Sequence, residues 1–299
     1  MRIGDCLLDL ARGGGRSSLF VVGTGKNVGK TVAMRAIADA AFTRGLRTGL
    51  TSIGRDGEAV DIADALAKPR LFLRPGTLVA TARSLLPAHP AGEIVDFTPW
   101  TTASGPVVLA RVRHAAFYEL AGPSTARGVR ACVRRFAELD CDQVIVDGAL
   151  DRVAALAGGT DAIVIAAGAS AARTMEESVD DACALAARLR VSGVDERAPL
   201  LRLPGALTAA DAARLVSQRE ERQVVVRDPT QIALSGKALL GVLSRLNVRC
   251  ERPLHVVAAT VASIGRDRYF EPRAFAHAVA SATGLPTFDV YAGTMVNAA

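Results

Sequence analysis

The sequence predicts an α/β fold, a doubly wound and mostly parallel sheet with helices on both faces. Three observations carry that expectation. Short runs such as 144–146 and 163–167 are apolar throughout, as strands covered on both faces must be. Strand-like runs are followed by a glycine turn and then a helical segment, a pattern that repeats along the chain. Half of the 299 residues are hydrophobic but only 4% are aromatic, so the core has to be built from Ala, Val, Leu and Ile. With 22% charged residues, the disordered and collagen-like classes are excluded.

The elements follow in order. An apolar strand at 18–22 comes after the flexible run Arg12-Gly13-Gly14-Gly15-Arg16. Residues 23–29 read as a loop and 30–43 as a helix, which Gly45 stops in the left-handed conformation that helix ends favour. A second strand at 48–53 runs into Gly54-Arg55-Asp56-Gly57-Glu58. Alternation at 107–113 puts Leu109, Arg111 and Arg113 on one side and predicts a half-exposed strand. Ser124 is the expected N-cap of a helix to about 139, with Val129, Cys132, Val133 and Phe136 as its buried stripe. Arg127, Arg130, Arg134 and Arg135 lie off that stripe. Further strand–helix units follow: 224–227 with a helix near 237–246, then 255–262 with a helix opened by Pro272. A last strand is expected at 287–291. No composition break marks a linker. Residues 1–299 are therefore expected as one domain of roughly eight strands, with a strand–helix–strand extension at about 253–299.

The net charge is +6 and the isoelectric point about 9.4. The positive charge is dispersed and mostly arginine, with no basic block interleaved with aromatics, which reads as arginine usage and not as a nucleic-acid surface. Lysine is scarce. Only Lys26, Lys30, Lys68 and Lys237 occur, and two of the four fall within one nine-residue segment. The five cysteines are scattered without a CxxC pair, which suits reduced thiols. No apolar run approaches the ~18 residues of a spanning helix, and Asp5 and Asp9 interrupt the N-terminal apolar residues. A cytoplasmic protein with no membrane partner is expected.

The strongest chemical signal is Gly23-Thr24-Gly25-Lys26-Asn27-Val28-Gly29-Lys30-Thr31, set between a strand and a helix. A phosphate chain needs a loop whose N–H groups point inward, glycines for close backbone approach, and a helix N-terminus behind it. Lys30 would reach the β- and γ-phosphates and the Thr31 hydroxyl would ligate Mg²⁺. A glycine-rich turn without a ligand is the competing reading, and the Gly-Lys-Thr ending counts against it. The second signal is Asp147 in Gln143-Val144-Ile145-Val146-Asp147-Gly148, at the tip of the apolar run 144–146, where a carboxylate can hold Mg²⁺ through water. Alone it would read as a turn residue. Asp151 and Arg152 either extend the site or sit at a helix start. The third is the loop around Asp56, with Arg55, Glu58 and Asp61 near it; Asp56 either orients a water or belongs to a solvated turn. Ser52-Ile53-Gly54-Arg55-Asp56 recurs as Ser263-Ile264-Gly265-Arg266-Asp267, by chance or as matching loops at two strand ends. The four histidines show no ligand spacing.

The run from Gly23 through Thr31 to Val32 resembles the P-loop of the dethiobiotin synthetase and cobyrinic acid amidase group, which shares the Gly-Thr opening and the Val-Gly-Lys-Thr ending. That group belongs to the signal-recognition and Min-protein class of P-loop NTPases. The resemblance implies a parallel sheet, ATP with Mg²⁺ as cofactors, and often a homodimer. The segment that departs is Thr51-Ser52-Ile53-Gly54-Arg55-Asp56, which lacks the lysine that dethiobiotin synthetases carry there. Lys26 stands one position late for the signature lysine of partition ATPases. Adding Ser52 to Glu58, Lys68-Pro69-Arg70, Gly76-Thr77 and Val146 to Arg152, the chain is similar to the ATPase subunit of the lysine 5,6-aminomutase reactivase. This implies an ATP-driven chaperone that ejects damaged cobalamin from an adenosylcobalamin-dependent lysine or ornithine aminomutase. The mutase and a second reactivase subunit would then be its partners. The residues expected to carry the chemistry are Lys30 and Asp56 in catalysis, Gly23 to Val32 on the nucleotide, and Thr31 and Asp147 on the metal. An ATP-dependent ligase of the dethiobiotin synthetase type is the alternative. A membrane-associated switch would need a terminal amphipathic helix, and the uncharged tail 291–299 is too short for one.

Overall fold

A computed structural model of the chain describes residues 2–53, 70–87, 91–148, 156 and 160–297. It divides into two compact units, Met1–Val22 with Lys30–Ala155 and Gly23–Gly29 with Leu156–Ala299.

The first unit contains α1 (Ile3–Arg12), β1 (Ser18–Gly23), α2 (Lys30–Thr43), β2 (Thr48–Ser52), β3 (Leu71–Leu73), β4 (Leu78–Ala82), β5 (Gly92–Thr102), β6 (Gly105–Val112), β7 (Ala116–Tyr118), α3 (Ala126–Glu138) and β8 (Gln143–Gly148). Its sheet runs β1-β8-β2-β4-β6-β5. The first four strands are parallel, and β6 and β5 are antiparallel additions. β3 and β7 form a separate antiparallel ribbon. Phe136 of α3 is buried against β2, where Gly49 leaves room for its ring. α2 begins and ends as the sequence predicts, with Gly45 at φ +70° after it. α1 was not foreseen. Leu7, Leu8 and Ala11 form its buried stripe, while Arg44 pairs with Asp5 and Asp9 on its outer side.

Two expectations need correction here. The N-cap of α3 is Thr125, whose hydroxyl accepts from Gly128 N–H at 3.1 Å, and not Ser124. β6 is not half-exposed: 107–110 and Val112 are buried and only Arg111 among them is exposed. β6 is paired along both edges, by β4 and β5, and on the side shared by Leu109 and Arg111 the first is buried and the second, near the strand end, is exposed.

The second unit contains β9 (Ala162–Gly168), α4 (Met175–Leu189), β10 (Leu200–Arg202), α5 (Ala209–Ser217), β11 (Gln223–Val226), α6 (Gly236–Leu243), β12 (Val248–Cys250), β13 (His255–Ala262), α7 (Pro272–Thr283), β14 (Thr287–Asp289) and β15 (Met295–Val296). β9, β13 and β14 are parallel and β15 closes the edge antiparallel. β10, β11 and β12 form a second, wholly parallel sheet with a core of its own, including Leu207, Leu215, Val224, Val226 and Leu239. The sequence predicts β11 and α6 but not that they belong to a separate sheet. The five cysteines are free. Among the described residues, no helix is long and apolar enough to cross a membrane.

Candidate functional site

The loop Gly23–Gly29 is shaped by its packing within the second unit. Thr24 N–H donates to the Ala166 carbonyl at 2.8 Å, tying the loop to β9. Asn27 and Gly29 take left-handed conformations, at φ +57° and +84°. A Cβ on Gly29 would stand 3.0 Å from both Ala262 Cβ and Val290 Cγ2. A Cβ on Gly25 would stand 2.8 Å from Ala171 Cβ, and one on Gly168 would meet Val28 Cα at 2.8 Å. The glycines therefore let the loop sit against the ends of β9 and β13, a packing demand that the phosphate argument alone does not contain. Val28 and Gly29 are buried, whereas Lys26 and Asn27 are exposed. The Thr24 hydroxyl is buried with no hydrogen-bond partner among the described residues. A buried hydroxyl left so invites a ligand or water to complete it.

Asp289 supports this loop from beneath and was missed by the sequence reading. Its fully buried carboxylate accepts from Ser263 N–H at 3.2 Å, Tyr291 N–H at 2.8 Å and Ala292 N–H at 2.7 Å. The turn it closes carries Val290, the residue in contact range of Gly29. An Asp at a strand end followed closely by a glycine is an Asx-turn signal, and that signal was available.

In the first unit, Lys30 and Thr31 open α2 and Asp147 lies near the end of β8. Asp147 is in register with Val21 of β1 on one side and Ser52 of β2 on the other, and its carbonyl accepts from Ile53 N–H at 2.9 Å. Only partly open to solvent, its carboxyl is pushed up by burial to about 6, while the positive charge of Lys30 draws it down. Two sequence-predicted residues are thus electrostatically coupled. Thr31 and Val32 are half-buried in the same turn. Beside Asp147, the Ser52 hydroxyl donates to the Leu120 carbonyl at 3.0 Å and accepts from Gly122 N–H at 3.2 Å. A Cβ on Gly122 would collide with the Ser52 carbonyl at 2.1 Å, so this strap requires glycine. Nothing in its sequence pattern announces it.

Asp56, with Arg55, Glu58, Asp61, Asp151 and Arg152, lies outside the described residues. Among the described residues, no group of three or more His, Cys, Asp or Glu side chains could hold a metal ion by itself. A metal brought by a nucleotide needs fewer protein ligands, and the Thr31 hydroxyl with the Asp147 carboxylate is a donor set of the oxygen type that Mg²⁺ takes.

The architecture is a mixed α/β fold with a largely parallel central sheet flanked by helices, of generic Rossmann-like type. Neither a scan against protein-family models nor searches of curated proteins and solved structures find a match to this chain.

Proposed function

We propose that the chain is a Mg-ATP hydrolysing switch of the P-loop NTPase class, with the doubly wound sheet of that class, and that it acts on a protein partner. The observation that carries the reading is Lys30 at the head of α2, coupled to the partly buried Asp147, directly after a glycine loop with two left-handed residues. The loop N–H groups and Lys30 bind and orient the β- and γ-phosphates. Thr31 and Asp147 hold the metal, Asp147 through water. Asp56 positions the attacking water. Bound Mg²⁺ supplies neutralisation of charge on the phosphate oxygens. With its carboxyl at about 6, Asp147 is ionised at pH 7 and above, as a metal-holding group has to be. Loss of the γ-phosphate contacts would release the loop around Asp56 and change the surface offered to the partner.

The sequence resemblance supplies that partner's class, an adenosylcobalamin-dependent lysine or ornithine aminomutase from which damaged cobalamin is exchanged. A second reactivase subunit and a second copy of the chain complete the expected assembly.

The test is Mg-ATP turnover by the purified protein, alone and with a cobalamin-inactivated aminomutase, beside Lys30→Ala. Slow turnover alone, stimulated by the mutase and lost in Lys30→Ala, supports the reading. Turnover no higher than in the variant under both conditions overturns it. Turnover that depends on a small carboxylate and ignores the mutase transfers the site to an ATP-dependent ligase.

A further inference from the structure

The segment that leaves β13 folds back on itself. Phe270 N–H donates to the Ser263 carbonyl at 2.9 Å, Gly265 N–H donates to the Arg268 carbonyl at 2.8 Å, and Ile264 bridges Tyr269 in antiparallel fashion. Residues 263–270 form a small hairpin with Arg266 and Asp267 at its apex. Its base is fixed from three directions. Ser263 N–H is held by the Asp289 carboxylate. Phe270 packs edge-on against Phe275 of α7, with ring centroids 5.1 Å apart. Gly265 lies so close to the exit of β9 that a Cβ there would stand 2.9 Å from Ser170 N and 3.0 Å from the Ala169 carbonyl carbon.

This rigid mount holds out side chains that a solvated turn has no use for. Tyr269 is 64% exposed and Ile264 52%. Tyr291, whose N–H is bound by the same Asp289 carboxylate, is 47% exposed. The chain has three tyrosines, and two of them are spent here on the surface. Arg266, Asp267 and Arg268 are exposed and enter no ion pair among the described residues. Aromatic rings, an aliphatic side chain and arginines on a pre-formed backbone are what carries binding energy at protein interfaces, and rigidity removes the ordering cost.

Charge selects the partner. The hairpin carries two arginines against one aspartate, on a chain of net charge +6, so a second copy would meet it with like charge. A nucleic-acid backbone would meet Asp267 between the arginines and leave Ile264 without a contact. A protein surface with an acidic rim around an apolar depression satisfies all of them.

We propose that hairpin 263–270, with Tyr291 beside it, is the docking prong through which the chain engages an acidic protein partner. The proposal rests on the partner-switch reading above and adds the surface that reading lacks. It also gives the second Ser-Ile-Gly-Arg-Asp run a use.

The experiment compares the full chain with Arg266→Glu/Arg268→Glu, Arg266→Lys/Arg268→Lys and Tyr269→Ala, titrating cobalamin-inactivated aminomutase while following Mg-ATP turnover. Melting temperature and basal turnover should be unchanged in all three. In the charge-reversed and Tyr269→Ala proteins, the mutase concentration for half-maximal stimulation should rise about tenfold or more. The lysine pair should restore most of it, and the parent's response should weaken with added salt. Charge-reversed protein that responds like the parent overturns the prong and leaves the switch reading intact. No stimulation of the parent overturns both. Retardation of a single-stranded oligonucleotide by the parent, lost on charge reversal while mutase stimulation is kept, replaces the protein partner with nucleic acid. A concentration-dependent dimer that charge reversal dissolves replaces it with a second copy.

Discussion

Lys30 and Asp147 act on each other within the first unit: the lysine charge draws the carboxyl down, burial pushes it up, and burial wins, leaving it at about 6 against an ordinary 3.8. The protein thus holds at neutral pH a carboxylate that its surroundings disfavour. Keeping such a group ionised costs the fold stability.

Replacing that carboxylate by its neutral isostere should therefore stabilise the ligand-free protein. The folded value lies above the unfolded one, so the proton is bound more tightly in the folded state. The destabilisation is absent below about pH 3.8, grows as pH rises, and is complete above about pH 7. Asp147→Asn should melt higher than the parent at pH 8, by about 1–3 kcal/mol, with the gain shrinking toward pH 5. Mg-ATP turnover should be lost in the same variant. Melting curves that differ equally at pH 5 and pH 8 would show that the charge is not the cause.

The coupling has a partner experiment. Lys30→Ala removes the charge that draws Asp147 down, so the penalty on the carboxylate grows. At pH 8 Lys30→Ala should destabilise the parent by more than it destabilises Asp147→Asn, a difference of about 0.5–2 kcal/mol in a double-mutant cycle. Equal effects in the two backgrounds would mean that the pair does not interact.

Gly29 tests the loop's geometry. At φ +84°, with Ala262 and Val290 already 3.0 Å from where a Cβ would sit, alanine meets both a backbone and a packing obstacle. The left-handed conformation costs about 1–2 kcal/mol for an L-residue, and relief comes by moving the loop. Gly29→Ala should bind ATP at least about tenfold more weakly while its melting temperature falls by only a few degrees. Unchanged nucleotide affinity would remove the loop from the site.

What the sequence makes legible is local. The helix at 30–43, the strand at 255–262 and the helix opened by Pro272 follow from an apolar period, a cap or a stop that lies within the element. The placement of Lys30 at the head of α2 and of Asp147 near the end of β8 is legible because a loop-to-helix and a strand-to-turn boundary lie in the local sequence. The rest depends on partners distant in the chain. α4 hides because Glu176, Glu177, Asp180 and Asp181 crowd an alanine-rich stretch and blur its apolar face. The independent sheet of β10–β12 is a matter of which strands pair, and no strand's own composition says that. The Ser52–Gly122 strap ties a side-chain hydroxyl to backbone groups some 70 residues away, which leaves no mark in a local pattern, whereas the Asx turn at Asp289 does have a local signal.

Gly49 is a second case of glycine required by a distant side chain. A Cβ there would lie 2.6–2.9 Å from three ring atoms of the fully buried Phe136. Gly49→Ala should cost about 1–3 kcal/mol through overpacking. Adding Phe136→Leu, which removes the colliding ring, should recover part of that loss, whereas Phe136→Leu alone should destabilise. Additive losses in the double variant would show that the two residues do not share the space.

The thiols offer a test of the two cores that needs no substitution. The reactive species is the thiolate. Burial pushes Cys132 and Cys141 up to about 12 and Cys250 up to about 11, and the Cys250 thiol also donates to the Val191 carbonyl at 3.2 Å. Cys183 is only half-buried, though burial and the nearby Asp180 raise it too. At pH 8 a thiol near 12 is ionised in about one molecule in ten thousand. Iodoacetamide on the native protein, read by peptide mass spectrometry, should therefore modify Cys183 first and leave Cys132, Cys141 and Cys250 intact until the unit holding each opens. Cys132 and Cys141 lie in the first unit and Cys250 in the second, so two labelling rates under mild denaturant would mean that the units open separately, and one shared rate that they open together. Fast labelling of Cys132 in the native protein would contradict the packing of α3 against β2.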